Sequence, residues 1–180
     1  MSIIALSRQM GAGAEEIVDM ICQELGYTFM DKQHIGEAVS QYGFQFGSFE
    51  KYDEKKPSLW DFISRERERL FHAVQIAICH LARKGNVIII GRGSYILLRN
   101  IPGVLRIKVI APFESRVYNM AQAGKSPSEI EELLRHSDRE REGFLRHYYH
   151  ADWNNAFLFD MVINTDKTPY QEAARLIIET

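Results

Sequence analysis

Apolar residues along this chain fall into two patterns: short continuous runs, and longer stretches where they recur every three or four positions. Ser2 to Ser7 is an almost unbroken apolar run, as expected of a strand buried on both faces. From Ala14 to Leu25 the apolar positions are Ile17, Val18, Ile21, Cys22 and Leu25, one face of a helix that Gly26 stops. Tyr27 to Met30 reads as a second strand, and Asp31 opens a helix that turns Ile35, Ala38 and Val39 inward. The pattern breaks between Tyr42 and Pro57, a stretch with two glycines and a charged run that reads as a loop. Ser58 with Asp61 predicts a helix start, and the buried stripe Trp60, Ile63, Leu70, Val74, Ile78 and Leu81 carries that helix to about Lys84. Arg65 to Arg69 reads as alternating charge on its solvated face.

The strongest strand is Asn86 to Ile90, ended by Gly91-Arg92-Gly93 and followed by a short helix. Val104 to Ala111 is another strand, and Pro112 suits the first position of the next helix. Ser126-Pro127-Ser128-Glu129 combines an N-cap, a proline and a third-position glutamate, predicting a helix to about Tyr149. Phe159 to Asn164 is the last strand, and Thr168 to Gln171 caps the last helix. Five strands alternating with helices long enough to cross over predict parallel pairing. The expected fold is α/β, a three-layer open parallel five-stranded sheet with helices on both faces, in one domain over residues 1–180.

Composition narrows the function. Among 180 residues, 22 are Lys or Arg and 24 are Asp or Glu, a formal net charge of -2, which argues against a general nucleic-acid binder. A small local phosphate site stays open. The longest apolar stretch, Val87 to Ile90, is far too short to span a bilayer, and no early run has signal-peptide length, so the expected location is cytoplasmic. Cys22 and Cys79 are too far apart for a C-x-x-C site and read as reduced core thiols. His147 and His150, with no third ligand, do not make a metal site, and no metal ligands are assigned. Surplus apolar residues on the helix up to Lys84 could form a homo-oligomer face or pack on the sheet.

Three clusters fall at predicted strand ends, where open parallel sheets bind ligands. Ser7 to Gly13 joins the first strand to the first helix, where backbone N–H groups and the helix dipole can hold a phosphate. In Gly91-Arg92-Gly93, an arginine at a strand end can grip a phosphate through two hydrogen bonds. Arg135, Arg139, Arg141 and Arg146 share a helix with many acids. Tyr148, Tyr149 and Trp153 read either as packing or as a surface on which a base stacks.

The stretch Ile3 to Gly13 resembles the opening of the cytidylate kinase-like proteins, a branch of the P-loop nucleoside monophosphate kinases. The resemblance continues through Phe29-Met30-Asp31-Lys32, Val87 to Gly93 and Ala111 to Arg116. It is completed by Asp138-Arg139-Glu140-Arg141, Tyr148-Tyr149, Trp153 and Phe159 to Thr165. It implies a P-loop NTPase-like fold, ATP and Mg2+ as cofactors, and small-molecule nucleotides as partners. By position it implies a phosphate loop of Ser7, Arg8, Gly11, Ala12, Gly13, Ala14 and Glu16. Asp31, Arg92 and Asp138 would bind the acceptor, and Arg92, Arg116, Arg139 and Arg141 would clamp the transferring phosphate. Residues 42–57 would belong to a mobile region over the monophosphate, and about 116–153 would form a helical lid.

The chain departs from the full motif G-x-x-x-x-G-K-[ST]. Arg8 stands at the first glycine, Ala14 at the lysine, and Glu16 is assigned to the hydroxyl position. Relatives often carry Gly-Gly-Arg-Glu here, and Ala14-Glu15-Glu16 lacks that arginine too. Two readings follow: a phosphotransferase moving the ATP γ-phosphoryl group to a nucleoside monophosphate such as CMP, or a nucleotide- or anion-binding module that has lost catalysis.

Overall fold

The computed structural model describes residues 2–30, 32–43, 65–121 and 126–180. Strand β1 (Ile3–Arg8) leads through the glycine loop into α1 (Ala14–Leu25). Then come β2 (Thr28–Met30), α2 (Lys32–Ser40) and α3 (Arg65–Ala82). Strand β3 (Val87–Ile90) turns into the short α4 (Ser94–Leu97), and β4 (Val104–Ile110) into α5 (Phe113–Met120). The long α6 (Pro127–Tyr149), β5 (Met161–Asn164) and α7 (Tyr170–Ile178) complete the order.

The five strands form one sheet in the order β2-β3-β1-β4-β5, with every pairing parallel. This is the α/β architecture the apolar runs predict. On one face α1 and α7 pack Ile17, Val18, Ile21, Ala173 and Ile177 against Ile4, Leu6, Ile88 and Ile107. On the other face α2 and α3 cover Ile3, Val87 and Ile89. Beside them Ala5, Tyr95, Phe144, Leu145, Trp153 and Phe159 form a third apolar cluster under α6. Ile88 and Ile89 are fully buried, each worth about 1.5–3 kcal/mol of removed apolar surface. Because β1 is central, its carboxyl end is walled by β3 and β4 and roofed by helices, which fixes where the glycine loop sits.

The boundaries differ from the sequence reading in ways that local chemistry explains. Pro112 is the N-cap of α5, its extended ψ of 150° keeping it one residue outside the helix. Phe159 and Asp160 precede β5 because Asp160 is engaged by Arg106, its N–H on the Arg106 carbonyl and its carboxylate on the Arg106 backbone and side chain. The expected helix start at Ser58, with Trp60 and Ile63, lies outside the described residues, as does most of the 42–57 region. Cys79 is exposed and Cys22 only partly buried, so neither is the core thiol expected. The buried stripe of α3 runs through Ala77, Ile78 and Leu81, and Cys79 falls one position off it. Arg67, expected on a solvated face, is only 4% exposed. The capping box of α6 is present: the Ser126 hydroxyl accepts from Glu129 N–H while the Glu129 carboxylate accepts from Ser126 N–H at 2.8 Å. Among the described residues no helix is long and apolar enough to cross a membrane.

Candidate functional site

The site is built on the turn between β1 and α1. Gly11 and Gly13 both take left-handed backbone, φ 78° and 74°. Side chains have no room at either position. A Cβ on Gly11 would lie 3.0 Å from the Arg116 carbonyl oxygen, and one on Gly13 would collide with the Tyr170 ring. The loop is pinned from three elements. Asn119 Nδ2 donates to the Gly11 carbonyl at 2.9 Å, and Thr165 Oγ1 donates to the Ala12 carbonyl at 2.9 Å. Gln9 Oε1 accepts from Ala111 N–H at 3.1 Å. Gly13 is the N-cap of α1 and offers no capping side chain. The first-turn N–H groups, with the positive end of the helix dipole, therefore face the loop, the arrangement that binds phosphate.

The structure shows how the loop's unusual residues are used. Ala14 is fully buried, while Glu15 and Glu16 point to solvent. Counting from Arg8 through Gly13 and Ala14 puts the hydroxyl position on Glu15, which corrects the assignment to Glu16. Glu15 stands 3.7 Å from Arg8 Nε, so the acid at that position draws on the loop's own arginine. Burial first, and the Glu16 charge second, hold the Tyr170 phenol's pKa above its usual value.

Arg116 is the best-defined cation of the site. It is 4% exposed and its backbone packs on Gly11. Its Nη1 and Nη2 donate to the two Asp138 oxygens at 3.1 and 2.9 Å. Its Nε is buried and makes no hydrogen bond among the described residues. Nε is thus the one donor of this guanidinium without a partner there. Asp138, expected at the acceptor, sits on Arg116. Arg92 is also 4% exposed, and Gly91, Arg92 and Gly93 are left-handed in succession, φ 76°, 54° and 69°. Arg92 Nη1 donates to the Ile90 carbonyl at 2.8 Å, and Tyr149 donates its hydroxyl proton to the Arg92 carbonyl at 2.9 Å.

On α6 the inward face carries Leu134, Asp138, Arg141 and Leu145, with Arg141 bonded to Ser137. Arg139 is exposed on the outward side, so the structure does not bring it to Arg116. Arg135 stands over the Phe113 ring at 4.3 Å and pairs with Glu131, and Arg146 pairs with Glu142. Asp31 lies outside the described residues.

Two buried cations, Arg67 and Lys108, escaped the sequence reading. Arg67 Nε donates to the Tyr148 hydroxyl at 2.9 Å, and Tyr148 stacks on Phe71 at 4.2 Å, so Tyr148 and Tyr149 pack the end of α6 down. Trp153 Nε1 donates to Ser7 Oγ at 3.0 Å. Lys108 Nζ donates to the Trp153 carbonyl at 2.6 Å. A lysine inside the apolar run 104–110 was the available signal for this group.

A cleft of about 440 Å³ opens beside the loop, lined by Ser115, Tyr118, Asn119, Thr165, Asp166 and Tyr170. The residues fit a nucleotide's phosphates, because a glycine cradle at a helix N-terminus lies against a buried arginine whose Nε is unpartnered among the described residues. At the hydroxyl position stands Glu15, whose carboxylate oxygens are ligands magnesium accepts, and among the described residues no group of three metal-capable side chains gathers.

The chain is similar to known proteins along most of its length. Cytidylate kinase from Methanosarcina barkeri is 24% identical over 167 residues, covering 91% of this chain and 87% of that protein. Cytidylate kinase from Pyrobaculum aerophilum is 27% identical over 187 aligned positions, covering 99% and 92%. Among solved structures, an uncharacterized protein from Eubacterium ventriosum superposes with a TM-score of 0.77 at 14% identity, over 99% of this chain and 97% of that one. Shikimate kinase from Bacteroides thetaiotaomicron superposes at a TM-score of 0.58 and 13% identity, over 99% and 97%, so the two chains share a fold. The family model described as "Cytidylate kinase-like family" matches residues 3–167, and the chain belongs to that family.

Proposed function

We propose that this protein transfers the γ-phosphoryl group of ATP to a nucleoside monophosphate of the cytidylate type. The observation that carries the reading is Arg116: buried, packed on Gly11 of the glycine loop, paired with Asp138, and with a buried Nε that makes no hydrogen bond among the described residues. A cation in that state beside a helix N-terminus is suited to a phosphoryl oxygen. The cytidylate kinase names of its relatives support the choice of acceptor.

In this reading an acceptor phosphate oxygen attacks the γ-phosphorus of ATP. The bond from that phosphorus to the β–γ bridging oxygen breaks, giving ADP and a nucleoside diphosphate. No side chain forms a bond to phosphorus, so the protein acts by placement and charge. The loop N–H groups of Gly13 and Ala14 hold the donor phosphates, and the cleft beside Tyr118 and Tyr170 takes the donor base. Arg116 and Arg141 neutralise the charge that spreads over the equatorial oxygens, with Asp138 orienting Arg116. Arg92 grips the acceptor phosphate, with Asp31 near the acceptor nucleoside, while Arg139 joins only when α6 closes as a lid over the site. Magnesium enters as the MgATP complex, held mainly by substrate oxygens and water.

The test is incubation of the purified protein with MgATP and, separately, CMP, dCMP, UMP, AMP and GMP, with diphosphates resolved by phosphorus NMR. CMP or dCMP should be phosphorylated fastest; absence of diphosphate from every acceptor sinks the proposal. The pairing of Glu15 with Arg8 favours a second reading, a binding module without turnover. Calorimetric binding of ATP or CMP in a protein that yields no product would establish it.

A further inference from the structure

Among the described residues, Lys108 is the one lysine that the fold buries, at 5% exposure in the middle of β4. Burying an ammonium is costly, and an apolar residue of similar length would pack there more cheaply. Its surroundings show what the charge is doing. Nζ donates to the Trp153 carbonyl at 2.6 Å and stands 4.7 Å from the centre of the Trp153 ring and 5.6 Å from that of Phe159. The same Trp153 donates its indole N–H to Ser7 Oγ at 3.0 Å. Ser7 is the residue opposite Lys108 on the neighbouring strand and directly precedes Arg8, where the phosphate loop starts. Lys108 therefore anchors both ends of one short bridge. It holds the chain leaving α6 by its carbonyl, and that chain's indole holds the root of the loop.

We propose that Lys108 is a positioning residue for phosphoryl transfer, fixing the trailing end of α6 against the phosphate loop through Trp153. The proposal rests on the phosphotransferase reading for what is positioned. The groups that face Lys108 are consistent with it. Asp138 on α6 and Asp152 beside Trp153 favour its charged form, while burial acts more strongly and pulls its pKa below the usual 10.5. Beyond Asp138 lies Arg116, two positions back on β4 lies Arg106 paired with Asp160, and behind Phe159 lies the Tyr95 ring. Asp138 thus pairs with one buried cation, Arg116, and its charge favours the protonated form of a second, Lys108.

The test compares wild type with Lys108→Met and Lys108→Arg in the full chain. Lys108→Met should lower kcat about 10- to 100-fold, with KM for both nucleotides changing less than about threefold, since a misplaced but intact site loses rate before binding. Wild-type kcat should fall at alkaline pH as Lys108 gives up its proton, and Lys108→Arg should recover most of kcat and not show that fall. A second readout needs no turnover. The chain has 2 tryptophans, so in a Trp60→Phe background Trp153 alone emits. Its emission should change as pH rises toward the lysine range, and the change should vanish in both Lys108 variants. If wild type turns over and Lys108→Met keeps kcat and its pH profile, the positioning role is overturned while the phosphotransferase reading stands. If wild type makes no product yet the Lys108-dependent emission change is present, the phosphotransferase reading fails and the bridge remains. Absence of that emission change in wild type overturns the bridge itself.

Discussion

Glu15 and Arg92 illustrate how single residues shape this site. Glu15 lies in the first turn of α1, where a carboxylate favours the helix dipole, yet it also sits beside the loop arginine. Removing its charge exchanges a small helix benefit for a less repulsive phosphate site. Glu15→Gln should tighten MgATP about two- to fivefold at low salt, corresponding to about 0.3–1 kcal/mol, and the gain should fade in calorimetry at high salt. Arg92 holds left-handed backbone, which costs a non-glycine residue about 1–2 kcal/mol and suits asparagine better. Arg92→Asn should therefore leave Tm within about 2 °C, because relief of strain offsets the lost bond to the Ile90 carbonyl. The same substitution should reduce turnover at least about 100-fold if Arg92 grips the acceptor. Glycine-arginine-glycine at a strand end was readable in the sequence. The pairing of Arg116 with Asp138 was not, because it joins helices whose facing turns depend on the whole sheet.

At the scale of elements, local signals and tertiary contacts divide the work. The capping box of α6 is fully legible, since its partners are three residues apart. Ser126→Ala should cost about 1 kcal/mol and lower Tm by about 2–4 °C in a thermal melt. Strands β1 and β3 were legible for a different reason: central parallel strands are apolar on both faces, and IIAL and VIII show it directly. The apolar pattern carries the edge strand β5 two residues further than the structure does, because Asp160 belongs to a tether. Arg106 bonds that carboxylate from its backbone N–H and its Nε, both at 2.9 Å. The bonds hold the Asp160 pKa below its usual 3.8. An acid with a depressed folded pKa stabilises above its unfolded value and loses that contribution as pH falls through the folded one. The Tm gap between wild type and Asp160→Asn should be constant near pH 7, shrink below about pH 4, and close in stronger acid. Its size should stay under about 1 kcal/mol, because the Asp160 side chain is 37% exposed and screened by solvent.

For the whole molecule, the order of strands and helices decided the fold, and the fold decided where function could sit. Alternating elements of this length leave few arrangements besides a parallel sheet with helices on both faces. The carboxyl end of its central strand is then the place to look for a ligand. What could not be read was which distant residues would meet there. Ser7 and Trp153 are 146 positions apart, and Ala12 and Thr165 are 153 apart. Arg67 and Lys108 looked like surface charge or an interruption because burial of a cation depends on partners contributed by α6 and its exit.

The glycine loop is encoded near the start of the chain but held by residues near its end. Asn119, Trp153, Thr165 and Tyr170 all contact it or its root. Synthesis proceeds from the amino end, so the nascent chain carries the loop's sequence long before it carries the loop's supports. Stalled chains of increasing length, assayed for nucleotide protection against proteolysis, should stay unprotected until Tyr170 has cleared the ribosome. A partly made chain would then bind no nucleotide during its own synthesis.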